Sequence, residues 1–213
     1  MTTIPPGPSI YLALHHTPLH DLLAVSGDSW VFSQKVLGAS TFSENQKRLR
    51  AWAEGRPPSK SPSTQQQASA GSLEGMSCTQ ATCHAARALL GFLSGDGPTG
   101  PPAGCISNYW GMYVCALIIW AFGHRAARSS SSVSPQKTPL AEDEAISWLQ
   151  SVACVQRPED ATRVKHRREA SAGVVSLVKR RLQADCVGPR SQLYVDAVGV
   201  LKKLEEGVNW RWF

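Results

Sequence analysis

The sequence predicts an all-α protein: an irregular multi-helix domain with a buried apolar central helix and two disordered insertions. Three observations lead there. No stretch of useful length alternates apolar with polar residues as a half-buried strand does, whereas several repeat apolar residues every three or four positions. Residues 105–124, CISNYWGMYVCALIIWAFGH, carry no charged side chain between Gly104 and Gly123 and include Trp110 and Trp120. A helix apolar on every side belongs in a protein core or in a bilayer. Finally, RPPSKSPSTQQQASAG (56–71) and SSSSVSPQK (129–137) are too polar and too rich in Pro, Ser and Gln to bury much surface.

These tracts divide the chain. The reading places a loose Pro-rich start at 1–9, a helical segment at 10–55 and a disordered linker at 56–74. A helical core follows at 75–128, including the Trp-rich helix 105–123. A second linker at 129–137 precedes a C-terminal helical segment at 138–213.

Ile10 to Val25 reads as helical, with Pro18 breaking or starting a segment. Thr41 and Glu44 have the spacing of a capping box for a helix running to Glu54, and Gly55 is a natural stop. Met76 to Leu93 aligns Ala81, Ala85, Leu89 and Phe92. Thr138-Pro139 is a helix start, and Glu142, Asp143 and Glu144 suit the positive end of a helix dipole. Two more helices are expected over Glu169–Ala184 and Ser191–Leu204, for six or seven in all. In the first of these, Lys179 and Arg180 are expected on the wet face.

Trp30, Trp52, Trp110, Leu117, Ile118 and Trp120 are the expected core. Seven Trp in 213 residues supply large buried area, each with one N–H that needs a partner. The net charge of +6 is compatible with nucleic acid or an acidic partner without demonstrating either. The scattered cysteines, and an opening without a basic and apolar leader, point to a reducing, intracellular compartment.

Most chemical constellations fail on their partners. Gly27-Asp28-Ser29 looks like the start of a serine-hydrolase block, but no late Asp-x-x-His supplies a base, and the expected fold lacks the parallel strands. His16 and His20 have the i, i+4 spacing of a zinc pair, with no third ligand following. Cys78-x4-Cys83-His84 lacks the two later histidines of a zinc finger. Arg163, Lys165, His166, Arg167 and Arg168 form the densest basic run, a candidate nuclear-localisation or phosphate-contacting patch. The alternative to a buried central helix is a membrane anchor over 106–122, which only just reaches the length of a span.

Four blocks carry a resemblance. They are HHTPLHDLLAVSGDSWVFSQKV (15–36) with the F-x6-L-x2-W spacing of Phe42, Leu49 and Trp52, then ATCHAARALL (81–90), ISNYWGMYVCALIIWAFGH (106–124) and VDAVGVLKKLEEGVNWRWF (195–213). In this order, and covering most of the chain outside its linkers, they resemble the C-terminal part of fungal zinc-finger transcription factors that carry a fungal-specific transcription factor domain. The resemblance implies a non-catalytic regulatory domain in the nucleus, contacting a protein partner such as the transcription machinery or a second copy of itself. It offers no catalytic residues and no cofactor. The chain begins where the last third of such a factor would, so zinc and DNA binding are expected only through an upstream domain.

Overall fold

Pro18 divides the first helical stretch in two. In the computed structural model, which describes residues 6–26, 39–55, 70–94, 106–129, 142–155, 168–185 and 192–205, helix α1 (Pro6–His15) ends just before it and α2 (Leu19–Ser26) begins just after it. The hydroxyl of Thr17 closes the end of α1 by donating to the Ala13 carbonyl at 2.7 Å, and the Pro18 carbonyl accepts the Leu22 amide at 3.0 Å. Helix α1 starts earlier than the sequence suggests. Pro6 and Pro8 stand in its first turn, where a missing N–H leaves no helical bond unmade.

The remaining helices are α3 (Ala39–Glu54), α4 (Ala70–Leu93), α5 (Ile106–Ser129), α6 (Glu142–Ala153), α7 (Arg168–Asp185) and α8 (Gln192–Glu205). The described residues therefore hold eight helices and no strand, and the fold is all-α. Thr41 lies inside α3 rather than at its cap, because the helix begins two residues earlier. At the other end Gly55, with φ of 70°, adopts the left-handed conformation that closes a helix without a Cβ clash. Helix α4 extends back to Ala70, into the segment read as a linker. Helix α6 begins with the acidic turn Glu142, Asp143 and Glu144. Thr138 and Pro139 lie outside the described residues, as do most of both expected insertions.

Helix α5 is the centre. Every residue from Gly111 to Gly123 is buried, which is what a segment without charges requires. It packs against α1, α2, α3, α4 and α7. Leu117 and Ile118 are fully enclosed, as are Leu22, Leu49, Leu89, Leu149, Leu182 and Leu201 from the surrounding helices. Trp120 is 6% exposed, while Trp52 and Trp110 are half-buried and rest against the same core. Trp30 lies outside the described residues. Among the described residues no helix is long and apolar enough to cross a membrane.

Two close approaches set how tightly α5 is held. A Cβ on Gly111 would fall 2.9 Å from Ile10 Cδ1 of α1 and 3.2 Å from Phe92 Cζ of α4. One on Gly123 would run into the Ser171 hydroxyl of α7 and come within 2.6 Å of its Cβ.

Helices α6, α7 and α8 form the second flank, with α7 between α5, α6 and α8. Here the reading of Lys179 is corrected. Its side chain is only 17% exposed and pairs with Glu205 of α8, while Arg180 reaches Glu142 of α6 at 3.1 Å. Burial works against the Glu205 carboxylate. Hydrogen bonds from Lys179 and Ser176 and the charges of Lys179 and Arg180 outweigh it, holding its pKa below the usual value.

Candidate functional site

A group of polar and aromatic side chains converges where the α1–α2 turn meets α4. Pro18 prevents α1 from continuing, so His16 falls in the turn and not on a helix face. His16 and His20 consequently do not share one helix as an i, i+4 pair. His20 lies on α2, with Nδ1 3.7 Å from Asp21.

The carbonyl of His16 instead accepts two hydrogen bonds, from Trp52 Nε1 of α3 at 2.9 Å and from the Ser77 hydroxyl of α4 at 2.8 Å. One backbone atom thus ties three parts of the chain together. It also gives the half-buried Trp52 the partner its N–H requires.

The His16 ring stacks on His84 of α4, centroids 6.1 Å apart and planes 8° from parallel. His15 meets His16 edge-on at 5.2 Å, and Tyr11 stacks on His15 at 6.4 Å. Burial lowers the His16 pKa, and the neighbouring His15 lowers it further. Burial lowers that of His84 as well, reinforced by Arg87 and His16. Both rings are held toward the neutral form.

Arg87, one turn beyond His84, extends the site to α6. Its Nη1 lies 3.4 Å from His84 Nδ1, and its Nε donates to the Ala153 carbonyl at 2.9 Å. Its Nη2 donates to the Val155 carbonyl. A guanidinium only donates, so His84 Nδ1 is the acceptor and its proton sits on Nε2. Arg87 thereby satisfies carbonyls left open where α6 ends.

His16, Ser77, His84 and Arg87 are half-buried between the α1–α2 turn, α4 and α6, and their hydrogen bonds tie those parts together. Cys78 and Cys83 are both buried in α4, and burial raises the Cys83 thiol despite the nearby Arg87. Among the described residues no three His, Cys, Asp or Glu side chains are grouped so as to hold a metal ion. Gly27, Asp28, Ser29, Arg163, Lys165, His166 and Arg167 lie outside the described residues, and Arg168 opens α7.

The sequence does signal the α4 half of this site: His84 and Arg87 are the two basic residues of ATCHAARALL, spaced i, i+3, and they share a face. The role of His16 was hidden, because it depends on how Pro18 turns the chain.

No protein-family model matches the sequence, and neither does any curated protein or solved structure.

Proposed function

We propose that the chain is a non-catalytic regulatory domain acting in transcription in the nucleus, similar to the C-terminal region of fungal zinc-finger transcription factors. The observation that carries the reading is the four ordered sequence blocks. Their described parts fall on α1–α2, α3, α4, α5 and α8, helices that contribute Leu22, Leu49, Leu89, Ile118 and Leu201 to one core. A resemblance spread over helices that share one core concerns a whole domain and not an isolated motif. The site described above fits a non-catalytic role, since its histidines and arginine are engaged with one another and with backbone carbonyls.

In this reading the chain works through a protein partner, either the transcription machinery or a second copy of itself. DNA contact belongs to a separate zinc-bearing domain. The run Arg163, Lys165, His166, Arg167 and Arg168 serves as a nuclear-localisation or phosphate-contacting patch.

The test is to fuse the full chain to a heterologous DNA-binding domain and read a reporter gene in fungal cells, together with the location of a fluorescent fusion. A reporter level several-fold above or below that of the DNA-binding domain alone, with nuclear accumulation that alanine substitution of the basic run abolishes, supports the reading. An unchanged reporter with fluorescence outside the nucleus overturns it.

A further inference from the structure

The stacked histidines join two junctions that hold the bundle together. On one side the His16 backbone fastens the α1–α2 turn to α3 and α4. On the other, His84 touches the arginine that fastens α4 to the end of α6. Two titratable rings lie face to face in between. We propose that the His16–His84 pair is a proton-operated latch, in which protonation of the rings releases α1 and the α1–α2 turn from α4.

The geometry gives protonation two consequences. A proton on His84 Nδ1 removes the acceptor that faces Arg87 Nη1 at 3.4 Å and sets two cations against each other. A proton on His16 as well would place two imidazolium rings 6.1 Å apart in a partly desolvated contact.

The neighbouring groups that act on the rings disfavour protonation. Helix α1 contributes His15 and Tyr11, and α4 contributes Arg87 and the thiol of Cys83. Helix α3 contributes the uncharged indole of Trp52, and α6 contributes only backbone carbonyls to Arg87. Asp21 of α2 is held by Arg48. The neighbours that lower the two pKa values are His15 for His16, and Arg87 and His16 for His84.

The sign follows from the lowered pKa values. The folded protein favours the neutral rings, so the stacked pair stabilises fully above the ordinary histidine value of 6.5. This contribution is lost as pH falls from there through the lowered values. Above neutrality the latch is closed, and mild acid opens it.

The test is hydrogen exchange of the full chain from about pH 7.5 to about pH 5, with each rate divided by its intrinsic value at that pH. The opening constant of α1 should rise as pH falls, by up to about tenfold per pH unit for each proton taken up. The α7–α8 amides serve as the internal reference. H84Q, whose side-chain oxygen still accepts from Arg87 but does not titrate, should flatten the dependence. Flat α1 protection in the wild type, or an undiminished slope in H84Q, overturns the latch. Should H84Q fail to fold, ring-proton NMR of the wild type decides. Both His16 and His84 must titrate below the ordinary value, and titration of either at or above it overturns the proposal.

Discussion

The guanidinium of Arg48 on α3 grips both carboxylate oxygens of Asp21 on α2, with Nη2 2.9 Å from Oδ1 and Nε 3.1 Å from Oδ2. The same Nη2 also donates to the Asn45 side-chain oxygen, one turn away. Asp21 and Asn45 are buried, whereas the arginine side chain is half exposed. This asymmetry predicts unequal mutants. Asp21→Ala leaves Arg48 free to turn into water. Arg48→Ala leaves a carboxylate and an amide oxygen inside without their donor, the costlier outcome. In urea denaturation Arg48→Ala should lower the midpoint more than Asp21→Ala, and the double variant should recover part of the loss. Equal midpoints for the two single variants would refute the argument.

Trp120 sits in the middle of α5 at 6% exposure, and Trp110 is half-buried near its start. Truncating a large buried aromatic residue removes transfer free energy and leaves a cavity. Trp120→Ala should therefore destabilise by about 3–5 kcal/mol, and Trp110→Ala by less. Thermal denaturation of both variants checks the order, and an unchanged melting curve for Trp120→Ala would contradict the placement of α5.

The two close approaches on α5 differ in what stands in the way. At Gly111 the nearest obstacle is Cδ1 of Ile10, the far end of a flexible side chain, whereas at Gly123 the Ser171 hydroxyl is nearest and its Cβ, fixed to the α7 backbone, also lies within 2.6 Å. Gly123→Ala should cost roughly 1–3 kcal/mol by forcing α5 and α7 apart, and Gly111→Ala should cost less. Adding Ser171→Gly should restore most of the Gly123→Ala loss, whereas Ser171→Ala keeps the Cβ and should restore little. Calorimetric melting of the four variants distinguishes these outcomes.

Thiol accessibility offers a check without mutation. Cys78, Cys83 and Cys115 are buried and Cys154 is exposed at the end of α6. Complete burial pushes the Cys115 thiol up to about 12, which suppresses the reactive thiolate. With a thiol-directed reagent at about pH 8, peptide mapping should show Cys154 labelled first among these four. Cys115 should label only after the protein unfolds. Rapid native labelling of Cys115 would be incompatible with α5 as the central helix.

How much of this was legible in the sequence depended on the kind of signal. An uncharged run such as Gly111–Phe122 has one soluble solution, burial on all sides, and there sequence and structure coincide. Helix ends were read less well. Thr41 and Glu44 have a capping-box spacing, yet α3 begins at Ala39, since a local pattern competes with whatever packing the preceding turn gains. Lys179 read as solvent-facing because its position on the helix says nothing of α8, whose Glu205 covers it. The histidine stack was beyond reach for the same reason. Its members are far apart in the chain, and their meeting depends on the turn at Pro18 and the docking of α1 on α4.

The enclosure of α5 bears on how the chain is made. A helix that packs against both α1 to α4 and α7 is synthesised well before its last cover exists. Until α7 leaves the ribosome, α5 lacks the close contact that Ser171 makes at Gly123, and some forty residues separate the end of α5 from the start of α7. The nascent chain therefore passes through a stage in which its most apolar helix is only partly sheltered. Exposed apolar surface at that stage favours aggregation of the incomplete chain.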